Sequence, residues 1–120
     1  MAATRKSRTA PVPGKPVRGS RSGRPVMALL DLLGRRWALR VLWELRGERR
    51  TFRALQEACD GVSPAVLNDR VRELRESGLV DVGEGEGYGL SPIGRELLAH
   101  LAPIAAWSER WAASPSRRRR

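Results

Sequence analysis

One cysteine and one histidine are all that this chain offers to thiol or metal chemistry. Cys59 alone excludes an internal disulfide and a multi-cysteine metal site. His100 alone leaves no histidine cluster for metal or acid–base work. No nucleophile–base pair can be assembled either, so neither an enzyme nor a cofactor is expected. No apolar run reaches the length of a membrane span. The N-terminus is basic but lacks the apolar core of a signal peptide. A cytoplasmic location with no membrane partner is therefore expected.

Acidic residues are missing from both ends. Residues 1–24 hold seven cations (Arg5, Lys6, Arg8, Lys15, Arg18, Arg21 and Arg24) and no acid, and Arg117 to Arg120 close the chain. The body, 25–116, has twelve basic and thirteen acidic residues, so the net charge of +10 sits wholly in the tails. Such tails suit a polyanion, or they serve only solubility. Residues 1–24 are rich in Pro, Gly, Ser, Thr and Arg and show no apolar period. They read as a disordered basic arm, with 114–120 as a basic tail.

Between the tails, 25–113 reads as one domain. Val26, Leu29, Leu30 and Leu33 follow the i, i+3, i+4, i+7 rule and predict a first helix over 26–33. A second, from about Arg36 to Arg46, is apolar on nearly every side, which predicts a central helix covered twice. Arg49–Thr51 suggests a very short strand. Thr51 can cap a third helix with Phe52, Leu55 and Cys59 inward. Asp60-Gly61-Val62 turns the chain, and Ser63-Pro64 is a cap and first-turn pair for a fourth helix. Helix, short turn with Gly, helix is the helix-turn-helix pattern. "LVDV" and "YGLS", separated by "GEGEG", predict a tight hairpin where a wing would sit. Ser91-Pro92 opens a last helix. Ile93, Leu97, Leu101, Ile104, Trp107 and Trp111 keep one helical stripe across Pro103, which favours a single kinked helix. The fold class is mainly α with a small β-hairpin: a winged helix-turn-helix with additional terminal helices.

Three stretches carry a resemblance. "LLDLLGRRWALRVLWEL" looks like the Gly-x-Lys/Arg-Trp helix of the HxlR-type regulators, relatives of MarR. "RTFRALQEACDGVSPAVLNDRVRELRESGLV" resembles their Arg-x-Phe-x-x-Leu, Gly-Ile-Ser and Leu-x-x-Arg-Leu-x-x-Leu-x-x-x-Gly-Leu-Val run. "YGLSPIGRELLAHLAPIAAW" resembles their Tyr-x-Leu-Thr-x-x-Gly-x-x-Leu stretch ending in Trp. The match covers about 25–111. The resemblance implies a homodimeric, DNA-binding transcription factor whose terminal helices form the dimer. It places Arg36 near the DNA backbone and the helix from Ser63 in the major groove. Two stretches depart from the pattern. Arg24-Pro25-Val26 stands where many members carry Cys-Pro-Val/Ile, so thiol sensing by the usual route is not expected. The wing is short and holds Glu84 and Glu86. Acids repel phosphate, so it is expected to add little to binding.

In "SPAVLNDRVRELRESGLV", Val66, Leu67, Val71 and Leu74 fall on one side of a helix and Asn68, Asp69, Arg72 and Arg75 on the other. As an isolated surface helix this would need no partner. As a recognition helix it would present its first turns to base edges: Ser63, Ala65, Asn68, Asp69 and Arg72. Asn pairs bidentately with adenine and Arg with guanine. Asp69 either accepts from cytosine or orients Arg72. Arg75, further along, faces phosphate, and Arg35, Arg36, Arg49, Arg50 and Arg53, clustered at helix starts, are further candidate backbone contacts. Val26, Leu29, Leu30, Leu33, Leu97, Leu101, Ile104, Trp107 and Trp111 are the candidate dimer interface. For the two tryptophans a ligand pocket is the other reading.

The leading function is a sequence-specific regulator that binds an inverted-repeat operator on double-stranded DNA as a homodimer. An unidentified small-molecule effector is left open as a partner. The alternatives are a non-specific nucleoid or RNA-binding protein working through the arginine-rich tails, and a winged helix used only for protein contacts.

Overall fold

Polar caps, two of them followed by proline, mark three helix starts in this chain, and the computed structural model follows them. It describes residues 9–118. The helices are α1 (Pro25–Leu33), α2 (Ala38–Glu44), α3 (Phe52–Ala58), α4 (Pro64–Glu76), α5 (Pro92–Ala113) and the short α6 (Pro115–Arg118). An antiparallel hairpin, β1 (Val80–Gly83) and β2 (Gly87–Leu90), lies between α4 and α5. The hydroxyls of Thr51, Ser63 and Ser91 accept from the backbone N–H of Ala54, Val66 and Gly94 at 3.1, 3.2 and 3.1 Å. Each cap of this kind contributes about 1 kcal/mol.

The core is built from the inner faces of these elements. Val41, Leu42, Leu55, Leu67 and Leu74 are fully buried, with Leu32, Leu33, Val71, Val80, Leu90 and Leu98 around them. At the start of α5 the helix backbone passes against Leu79, in the segment between α4 and β1. A Cβ on Gly94 would lie 2.1 Å from the Leu79 carbonyl oxygen, which also accepts from the Ser91 N–H at 3.0 Å. Only glycine allows that approach. The expected strand near Arg49–Thr51 reduces to a single bridge. Arg50 donates its N–H to the Tyr88 carbonyl at 2.9 Å and accepts from Tyr88 at 2.7 Å, adding a third chain beside the hairpin. The helix containing Pro103 is continuous from Pro92 to Ala113.

Two expectations about the body are corrected. The second helix starts at Ala38 rather than near Arg36, because Trp37 takes a left-handed conformation with φ 74° and closes a turn before the helix. Nor is α2 covered twice: Leu39 and Trp43 stay exposed. The Arg46 guanidinium lies 3.9 Å from the centre of the Trp43 ring, which shields one face of it.

Residues 1–8 lie outside the described residues, with Arg5, Lys6 and Arg8, and so do Arg119 and Arg120. Residues 9–24 form a hook with backbone bonds of its own. Val17 and Ser20 exchange hydrogen bonds of 2.9 and 3.0 Å, and Gly14 donates to the Gly23 carbonyl at 2.9 Å. The Ser20 hydroxyl accepts from the N–H of Gly23 and Arg24 at 3.1 and 3.0 Å. The Arg18 N–H donates to the Asp31 carboxylate on α1 at 3.1 Å. Gly23 sits at φ 73°, where a Cβ would meet the Lys15 carbonyl at 2.2 Å. A segment built from turns carries no apolar period, which is why its sequence reads as structureless.

Candidate nucleic-acid interface

Helix α3, the turn through Asp60 and Gly61, and helix α4 form the unit that would meet DNA. Asp60 and Gly61 have φ of 39° and 86°, and this tight reversal sets the two helices at an angle. The inner face of α4 is anchored by Leu67, Val71 and Leu74, with Val66 half-buried. Packing therefore decides which face is left outside.

That face is the one expected. Ser63, Ala65 and Asn68 are exposed, and Asp69 and Arg72 are partly so. Ser63 uses a lone pair for its cap and keeps its own proton to donate. Arg72 Nη2 lies 3.4 Å from Asp69 Oδ1, three residues back on the helix. Of the two roles open to Asp69, orienting Arg72 is the one that the geometry shows in the free protein. Such a half-exposed pair is worth at most about 1 kcal/mol, so it can open when either group meets a base.

The six candidate backbone arginines divide into two groups. Arg36, Arg53 and Arg75 are exposed. Arg35, Arg49 and Arg50 each hold partners within the domain. Arg35 Nη1 lies 3.1 Å from the buried Glu73 carboxylate. Arg49 Nη2 bonds Asp81 at 2.6 Å and the Gly87 carbonyl at 3.1 Å, and its Nε lies 3.7 Å from Glu86. Arg50 Nε donates to the Glu44 carbonyl at 2.8 Å. An arginine at a helix start looks the same in sequence whichever role it has. The acids that claim Arg35 and Arg49 lie 38 and 32 residues away. In the wing, Arg49 lies flat across the hairpin, where a Cβ on Gly89 would come within 2.6 Å of it. It offsets part of the charge of Asp81 and Glu86.

Of the candidate interface residues, Val26, Leu30, Ile104, Trp107 and Trp111 are about half exposed, and Leu29, Leu97 and Leu101 are partly buried. Leu33 is corrected: it is buried in the core of its own chain, because α1 turns that position toward α2. From Ala102 to Ala113, α5 has no buried residue. Trp107 and Trp111 stack on one another there, with ring centres 6.3 Å apart and planes 9° apart. They do not line the apolar cleft between the hook and α1, which is formed by Pro11, Val12, Pro25, Leu29 and Leu32.

Cys59 is free and fully buried, and burial pushes its thiol up, with Arg40 acting in the opposite direction. A thiol held protonated and out of solvent is inert. Reading the sequence missed Glu73 and Arg70. Glu73 is fully buried between Arg35 and Arg70. One signal existed: seven residues after Val66, Glu73 returns to nearly the same side of the helix.

No described helix is long and apolar enough to cross a membrane. A family model, the HxlR-like helix-turn-helix, matches residues 32–116. An HTH-type transcriptional regulator of Methanocaldococcus jannaschii is 26% identical over 89 residues, covering 71% of this chain and 83% of its own. One from Synechocystis is 31% identical over 94 residues, covering 72% and 69%. Among solved structures, a transcriptional regulator of the MarR family from Enterococcus faecalis V583 is 28% identical, with a TM-score of 0.65, covering 78% of this chain and 90% of that one. The quinone-bound YodB of B. subtilis shares the fold, with 24% identity, a TM-score of 0.67 and coverage of 72% and 96%. The two relatives and the Enterococcus faecalis protein are named as transcriptional regulators, not as enzymes.

Proposed function

The chain belongs to the HxlR-like helix-turn-helix family, and on that premise we propose that this transcriptional regulator binds an inverted-repeat operator as a homodimer, with α4 reading base edges in the major groove. The observation that carries the reading is the outward face of α4. A helix capped at Ser63 and anchored by Leu67, Val71 and Leu74 leaves Ala65, Asn68 and the Asp69–Arg72 pair outside. Those groups match the base edges: an amide for adenine, a guanidinium for guanine and a methyl for thymine. Arg36, Arg53 and Arg75 are the exposed cations that would hold phosphate and fix the register.

Selection of bound DNA from a random pool tests this. An enriched inverted repeat is expected, with half-sites about one helical turn apart or a multiple of it. A pool that stays random while the protein binds all of it would favour the non-specific reading, in which the basic tails act alone.

Single substitutions then separate reading from positioning. Asn68→Ala and Arg72→Ala should each lower operator affinity by about 1–3 kcal/mol, the usual worth of a bidentate base contact. Neither side chain is buried, so thermal melting should hardly change. Variants that bind the operator as tightly as the parent would leave this face merely solvated. Arg36→Ala should instead weaken operator and random DNA alike and reduce the slope of affinity against salt by about one counterion. A loss confined to the operator would mean that Arg36 reads sequence.

A further inference from the structure

Among the described residues, Glu73 is the one charged side chain in the core. Its oxygens are held by two different arginines. Oε2 lies 3.1 Å from Arg35 Nη1, and Oε1 lies 3.0 Å from Arg70 Nη1. Arg35 comes from the turn between α1 and α2 and also lies 3.9 Å from Asp31. Arg70 has a second bond: its Nε donates to the backbone carbonyl of Arg36 at 2.7 Å. One helix, α4, thus grips two adjacent residues of that turn, Arg35 by its side chain and Arg36 by its main chain. The next residue, Trp37, has φ 74°, a conformation that a bulky side chain adopts only when its surroundings hold it there.

We propose that Glu73 is a positioning residue which, through Arg35 and Arg70, sets the distance between Arg36 and the outward face of α4. The inference rests on the DNA-binding reading above. A buried ion pair is a poor source of stability, because desolvation offsets much of the attraction and apolar groups of similar size often do as well. What it adds is direction. Carboxylate–guanidinium bonds fix both angle and distance. Asn68 and Arg72 stand on the helix that carries Arg70 and Glu73. Arg36 stands on the turn that those two residues hold. A base contact and a phosphate contact several ångströms apart must fit DNA at the same moment. The triad makes the two surfaces one rigid body before DNA arrives, so the ordering cost is not incurred on binding.

The test is a double-mutant cycle on operator affinity, using the full chain and the DNA enriched by selection. Arg70→Lys is the first probe. It keeps the positive charge beside Glu73, but a lysine cannot reproduce the fork that reaches Glu73 and the Arg36 carbonyl together. The variant should fold and lose about tenfold in operator affinity. Adding Arg36→Ala to it should then cost much less than in the parent. The expected non-additivity is about fivefold or more, or roughly 1 kcal/mol at 1.4 kcal/mol per factor of ten. Glu73→Gln should show the same coupling to Arg36, together with a lower melting temperature. A purely structural triad would lower melting and leave the Arg36→Ala factor unchanged. Equal factors in the parent and Arg70→Lys backgrounds would overturn the proposal while the DNA-binding reading stands. If the parent enriches no operator, that reading falls and the proposal falls with it.

Discussion

Replacing Trp107 and Trp111 together with Glu should turn a dimer into a monomer and lower affinity for the inverted repeat by at least about a hundredfold. Helix α5 has 22 residues. Its first half packs through Gly94 and Leu98, while the part from Ala102 onward buries nothing in its own chain. An isolated helix of that length is marginal in water, so something must cover it. The stacked tryptophans and Ile104 on that part, with Ile93 at the start of α5 and Val26 and Leu30 on α1, are the exposed large apolar groups of the terminal helices. Burying the exposed half of one tryptophan, on the order of 100 Å², is worth about 2.5 kcal/mol. Four such rings across a two-fold interface give roughly 10 kcal/mol before the cost of association. Charge at those positions cannot be buried unpaired, so the interface should open. The domain itself should still fold, because neither ring lies in its core. Affinity for a single half-site should survive, while the gain from linking two half-sites, roughly 10²- to 10⁴-fold, should vanish. Sedimentation at micromolar concentration checks the first part, and titration with full and half operators the second. A parent that sediments as a monomer, or a double variant that stays dimeric, would refute the assignment.

Leu74→Ala should have the largest effect on stability, a loss of about 2–5 kcal/mol. Leu74 is fully buried where α4 meets the core, and its backbone carbonyl accepts from the Leu79 N–H at 3.0 Å and the Ser77 hydroxyl at 2.9 Å. The substitution removes three carbons from a site fixed on all sides, so the cavity cannot collapse fully. For a domain of this size, the loss corresponds to a fall in melting temperature of roughly 10–30 °C. Well below that temperature, the folded fraction should bind the operator nearly as the parent does, because Leu74 faces the core. Unchanged melting would refute its place in the core. Lost binding at unchanged melting would mean that α4 meets DNA by another face.

The sequence alone determined the five main helices and the hairpin of this protein, and the outward face of its fourth helix. Capping and helical periodicity are local properties. Thr51, Ser63 and Ser91 announce three helix starts within a few residues, and the four apolar positions from Val66 to Leu74 decide which side of α4 is left outside. Gly83 and Gly87 bound the hairpin tip in the same local way. The unbroken stripe across Pro103 made α5 one helix. The tertiary structure decided which charges are engaged and which are open. Arg35, Arg36, Arg49, Arg50 and Arg53 look alike in sequence. Yet Arg35 is held by Glu73 and Arg49 by Asp81, partners brought together only when α4 and the wing pack. Glu73 itself has an apolar residue's place and a charged residue's chemistry, and it becomes intelligible only once two arginines converge on it. The hook at 9–24 is held by backbone bonds and glycines at positive φ, which leave no period to read. Periodicity reports how one segment faces a core; it carries no information about which distant side chain arrives on the other side.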